Sequence, residues 1–300
     1  MDLTNFILLA VERDMITNKY GLDLFYTVFK EASKNQPASK QEGSAYESTN
    51  SSSVLINHSF FRAITMLAKS LFAHEEEPFE SMFSQLLVDS TPTHDKRMVG
   101  GRSPKLGEET MEILSEEAIR VYLMYYKQLK VLFTTYIHTN FNAKSKEMNW
   151  RAIEDVNQKM YVSAFLKLAR CQSLIAHQIN IETLHDFIEQ VIPPITAAEV
   201  EYLEKDKTLL KKYNEDKSYK TNTCEPVEGE PGLLFHEFIF LLGQIALHAT
   251  DHTPVTAKTI EDFFIEKLNF KKQTSIPQYG EDDEYDDEVE SDDELEMDEQ

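Results

Sequence analysis

Apolar residues recur at helical spacing along most of this chain, and no stretch of strand length shows clear period-two alternation. Leu3, Phe6, Ile7, Leu9 and Ala10 make the first stripe, and Leu22, Phe25 and Phe29 the second. Residues 34–53 are rich in Ser, Asn, Gln, Lys and Glu and read as a loop. Phe60, Ile64, Leu67, Ala68 and Leu71 form the next stripe. Pro78 stands where a helix can begin, with Met82, Leu86 and Leu87 behind it. Residues 90–107 hold prolines, glycines and four bases, and predict a boundary. One long helix is predicted over about 109–138, with Ile119, Leu123, Tyr126, Leu129, Phe133 and Tyr136 on one side. Further stripes are Phe165, Leu168 and Ala169, then Ile181, Leu184, Phe187 and Ile188, which stop before Pro193-Pro194. Thr196 and Glu199 make a capping box that opens a charged helix to about 214. Residues 215–232 are polar, 235–247 strongly apolar, and Ile260, Phe263, Phe264 and Leu268 close the folded part. The predicted class is all-α.

Two blocks of this pattern repeat. Residues 6–10 (FILLA) align with 165–169 (FLKLA), and the match runs on without gaps. Met15 falls on Leu174, Ile16 on Ile175, Leu22 on Ile181 and Phe25 on Leu184. Residues 60–68 likewise align with 238–246, followed by Met82 on Ile260 and Leu86 on Phe264. The offsets are 159 and 178 residues, so both blocks recur in order with 19 extra residues between them in the second copy. Ordered self-similarity of this kind marks a duplicated supersecondary unit. The second copy is extended by the long helix over about 109–138.

The unit's chemistry is read from Glu237-Phe238, which resembles the last acid of an EF-hand loop running into its exit helix. Calcium needs oxygen ligands at loop positions 1, 3 and 5, a glycine at 6 and a bidentate acid at 12. The loop ending at Glu237 starts at Pro226 and keeps Glu228, Glu230 and Glu237, but Pro231 replaces the glycine. The loop ending at Ala164 lacks its final acid, and the one ending at Ser59 has no carboxylate at a ligand position. A loop before Phe6 would begin ahead of Met1. No set offers the six to eight oxygens calcium takes, so no metal or other cofactor is expected. Glu228, Glu230 and Glu237 are the residual candidates.

Residues 129–136 (LKVLFTTY), 161–170 (YVSAFLKLAR) and 233–247 (LLFHEFIFLLGQIAL) together resemble the degenerate EF-hand-like domains of ciliary and flagellar proteins. The design is similar to calmodulin-like axonemal components and to the tubulin polymerisation-promoting protein family. The resemblance covers about 109–270 closely and 1–90 more loosely, departing at Asn57-His58-Ser59 where the acid is missing. It implies an axonemal or microtubule-associated structural role and carries over no catalytic residues and no particular partner; tubulin or axonemal proteins are the expected class of partner. The expected architecture is two EF-hand-like paired helix–loop–helix units, at 1–90 and 109–270. A linker at 91–108 joins them, and a disordered acidic tail follows at 271–300.

Charge sharpens this picture. The chain holds 52 acids and 30 bases, a net −22, but residues 281–300 contain 14 acids and no base. The remaining 280 residues carry 38 acids and 30 bases, a net −8. The tail is too charged to bury and order itself. Ser291, followed by Asp292, Asp293 and Glu294, is a candidate for acidophilic phosphorylation. General nucleic-acid binding is excluded by the scarcity of clustered bases. No apolar run is long enough to span a membrane. The N-terminus lacks the basic region of a secretory signal and only two cysteines occur, so an intracellular setting is expected.

Candidate partner contacts are the bases Lys96, Arg97, Arg102 and Lys105, then Lys211 and Lys212 on the charged helix, and Trp150 as an aromatic anchor. The acidic tail is expected to compete for these bases against an acidic partner. Cys171 lies on an apolar helix and is expected to be buried. Phe240 occupies the second histidine position of an H-E-x-x-H motif, and no P-loop or G-x-S-x-G occurs, so no enzyme is expected. Two other functional classes stay open: a calcium sensor with one residual loop, and an acidic-tailed chaperone for basic clients. A helical array of another kind stays open for the fold.

Overall fold

The apolar stripes become helices whose ends follow local capping chemistry. The computed structural model describes residues 1–34, 54–73, 80–82, 111–138, 159–174, 179–215, 229–249 and 256–276, apart from 14, 19 and 195. Helix α1 (Leu3–Glu12) starts where the Asp2 carboxylate accepts the Asn5 N–H at 2.8 Å. It buries Leu3, Phe6, Ile7 and Ala10. Helix α2 (Leu22–Ser33) brings Phe25 and Phe29 against Phe6, with ring centroids 6.4 and 5.7 Å apart. Helix α3 (Asn57–Leu71) packs along α2 through Ala63, Ile64, Leu67 and Ala68.

The predicted long helix over 109–138 is instead broken into three pieces. A 3₁₀ turn (Glu112–Leu114) leads to Ser115, whose hydroxyl accepts the Ala118 N–H and caps α4 (Glu116–Met124). The chain bends at Tyr125 and resumes as α5 (Tyr126–His138). No proline or glycine causes the bend. It turns the fully buried Tyr125 ring onto Phe264 and Phe270, at 5.7 and 6.1 Å.

Helices α6 (Val162–Cys171), α7 (Ile181–Val191), α8 (Ala197–Glu215), α9 (Phe235–Ala249) and α10 (Thr256–Glu266) follow. The capping box at α8 forms as read: Thr196 N–H reaches Glu199 Oε2 at 3.0 Å, and Glu199 N–H reaches Thr196 Oγ1 at 3.2 Å. Helix α9 is enclosed from Phe235 to Ala246. The strands among the described residues form a two-stranded antiparallel ladder, β1 (Met160–Tyr161) and β2 (Gly232–Leu233), in the register Met160↔Leu233.

The repeat extends to helix bounds and hydrogen bonds. Shifted by 159, α1 falls on α6 from first residue to last, and the start of α2 falls on the start of α7. Shifted by 178, α3 falls on α9 from first residue to last. Helix α8, 19 residues long, matches the 19-residue excess between the blocks. The bond closing α1, from Met15 N–H to Ala10 O at 2.9 Å, recurs as Leu174 N–H to Ala169 O at 2.8 Å. The ladder has a counterpart too. Leu55 N–H donates to Met1 O at 2.7 Å, and the Met1 amino group donates to Leu55 O at 2.9 Å. The offsets place Met1 on Met160 and Leu55 on Leu233.

One continuous apolar core joins the two copies, from Leu3 to Leu268. Helix α4 is the wedge between them. Tyr122 lies over Gly243 of α9, where any side chain would collide with its hydroxyl. Glu116 bridges to Lys30 of α2 at 2.7 Å and to Arg120 at 2.6 Å. Burial pushes the Glu116 carboxyl up, but Lys30 and Arg120 together outweigh this and hold it below the usual carboxylate range.

Two expectations are corrected here. Residues 271–276 do not begin a free tail: Lys271 N–H and O both bond Gln128, at 2.8 and 3.0 Å, and Gln273 N–H donates to the Tyr125 hydroxyl. Residues 277–300 lie outside the described residues, as does the proposed linker at 91–108. Cys171 is exposed rather than buried. It sits on the last turn of α6, where its position in the repeat matches exposed Glu12.

Candidate functional site

The loop ends at the β1–β2 ladder hold the chemistry singled out in sequence. Gly229, at φ +84°, turns the chain against Ala198, where a side chain would come within 2.9 Å of the Ala198 Cβ. This turn delivers Glu230, which is 8% exposed, to the start of α6. Its Oε1 accepts the Ser163 N–H at 2.7 Å. The N-cap residue of α6 is Tyr161, which makes no side-chain cap, so the acid comes from the opposite loop instead.

Glu237, 2% exposed, behaves the same way one helix further on. Its Oε2 accepts the Leu234 N–H at 2.6 Å, the reach-back half of a capping box at the start of α9. The next donor, Phe235 N–H, goes to Asn18 Oδ1 of the first copy at 3.0 Å. The two described acids of the residual calcium loop therefore each place an oxygen on a helix N-terminus, where the helix dipole favours negative charge. Glu228, the third, lies outside the described residues. Among the described residues no three His, Cys, Asp or Glu side chains converge as a metal would require.

Aromatic side chains seal the ladder. Tyr126 and Phe133 of α5 meet Phe235 at 5.2 Å each, and Phe133 meets Phe238 at 5.3 Å. Tyr136, further along α5, is held up at about 12 by burial and by its hydrogen bond to Cys171. His236 is enclosed beside Glu237 and edge-on to Phe240 at 5.8 Å. Burial lowers its pKa to about 4, which keeps the imidazole neutral at ordinary pH.

The remaining candidates are not brought together. Lys96, Arg97, Arg102, Lys105, Trp150 and Ser291 lie outside the described residues. Lys211 and Lys212 lie on the described backbone of α8, but their side chains lie outside the description. Sequence reading missed the capping role of Glu230, because its partner Ser163 lies 67 residues away. It also missed Tyr122 and Asn18, whose partners belong to other elements. A usable signal existed only for Glu237, where an acid stands three residues after Leu234, just ahead of the apolar run.

No helix is long and apolar enough to cross a membrane among the described residues. The chain matches no protein family, no curated protein and no solved structure in the three comparisons made with known proteins.

Proposed function

We propose that this chain is a non-enzymatic adaptor of the ciliary or flagellar axoneme, built from two EF-hand-like helical units that work without calcium. The observation that carries the reading is the fate of the loop acids. An EF-hand loop folds its acids around a cation, with the twelfth residue as bidentate ligand. Here the fifth and twelfth positions, Glu230 and Glu237, instead hold the N-termini of α6 and α9. Pairing of the eighth loop positions, Met160 with Leu233, supports the comparison, as does its Met1–Leu55 counterpart. The loops thus keep a pairing geometry while their acids do structural work, which suits a packing module rather than a sensor. The axonemal setting rests on the resemblance of residues 129–136, 161–170 and 233–247, with tubulin or axonemal proteins as the expected partners.

The test is to tag the protein in a ciliated cell and extract the cilia with detergent. The chain is expected to remain with the axoneme, and full release into the detergent fraction contradicts the location. Calorimetry at micromolar Ca²⁺ addresses the module itself. No binding heat is expected from the full chain or from its Glu237→Gln variant; saturable binding abolished by that change would restore the sensor reading.

A further inference from the structure

The repeat contains its own control, because among the described residues one copy is covered where the other is open. In the second copy α5 lies over the ladder, the end of α6 and the start of α9. Beneath it Met160 and Leu168 are fully buried. Their first-copy counterparts are Met1, 41% exposed, and Leu9, half-buried. Among the described residues the place over α1 is an open groove lined by Met1, Asn5, Leu8, Leu9 and Glu12. Beside the Met1–Leu55 bridge Val54 and Ile56 are also exposed, at 44 and 48%. Exposed apolar residues flanking an open groove point to an interaction site.

The second copy also shows what fits such a place. Helix α5 presents Leu129, Phe133 and Ile137, at i, i+4 and i+8, to the core. Its remaining face carries Lys127 and Lys130, and residues 126–138 include no acid. The open groove ends on exposed Glu12 where the covered one has Cys171, so it favours a basic helix more strongly.

We propose that the α1 groove docks an amphipathic helix of a partner protein, with apolar residues at i, i+4 and i+8 and a basic, acid-free polar face. This is helix-in-groove recognition in which the partner completes the first copy as α5 completes the second. The inference rests on the adaptor reading and names the kind of partner it takes.

The probe is a labelled peptide of Tyr126–His138, titrated into the full chain at low salt and followed by anisotropy. Saturable binding is expected, weakened at least tenfold by Leu9→Asp. Glu12→Lys, an exposed change that spares the core, is expected to weaken it severalfold. That loss should be recovered by a peptide carrying Tyr136→Glu, the place on α5 that meets Cys171 in the second copy. Absence of binding, or binding indifferent to both variants, overturns the proposal. A Leu9-dependent dimer in sedimentation assigns the groove to a second copy and overturns it as well. A chain that stays with axonemes but ignores the peptide loses the groove alone. One that binds the peptide through α1 but washes out of axonemes loses the location alone.

Discussion

Phe238 and Phe60 hold the same place in the repeat, four residues into α9 and α3. Phe238 is fully buried among Phe133, Phe165 and Phe235, while Phe60 is half-buried and touches exposed Phe61 at 6.1 Å. The local sequence is similar, the helices coincide and the backbone bond at the helix start recurs at 2.8 and 2.9 Å. What differs is the covering helix. A duplicated unit can keep its framework in both copies while one becomes an interior and the other retains a face. The difference therefore teaches where energy and where recognition reside.

The largest expected effect separates these two phenylalanines. Phe238→Ala should cost about 3–5 kcal/mol, as deletion of a sealed aromatic does, whereas Phe60→Ala should cost under about 2 kcal/mol. Chemical denaturation of both variants checks this, and equal losses would break the contrast between covered and open copies.

The histidines come next. His236 is buried and its counterpart His58 exposed. Because the folded pKa of His236 lies near 4, below its unfolded value, its contribution is present above pH about 6.5 and lost as pH falls through about 4. The loss amounts to about 3 kcal/mol. A His236→Met variant should lose correspondingly less stability on acidification. Melting temperatures across pH 4–7 give the answer.

The smallest effect concerns the caps. Helix α1 is capped by its own Asp2, whereas α6 borrows Glu230 from the opposite loop. Asp2→Ala should cost about 1 kcal/mol. Glu230→Ala should cost about 1–2 kcal/mol, since it frees a buried donor and loosens the ladder together. Similar costs with no change in ladder protection would show that Glu230 is only a local cap.

Much of this framework was legible because its causes are local. Thr196 and Glu199 start α8 through bonds three residues apart, and the apolar stripes mark α1, α2, α3 and α9. The repeat was legible because two offsets preserve whole stripes. The break at Tyr125 was not, since no local proline or glycine marks it and the ring's partners, Phe264 and Phe270, lie more than a hundred residues on. Nor was the ladder, because two residues per strand carry no alternation to read. The candidate site was half legible. Glu230 and Glu237 were identified from their loop positions, but their bonds to Ser163 and Leu234 depend on how the two loops meet. The groove over α1 had no sequence signal at all, because it is defined by what covers the other copy.

Amide hydrogen exchange tests most directly whether the two copies are one unit in covered and open forms. The bridge amide of Leu55 and those of the Met160–Leu233 ladder are compared with and without the Tyr126–His138 peptide. Leu55 is expected to exchange at least tenfold faster than the ladder pair, and the peptide to slow Leu55 while leaving the ladder unchanged. Equal protection at both bridges, with no response to the peptide, would contradict this.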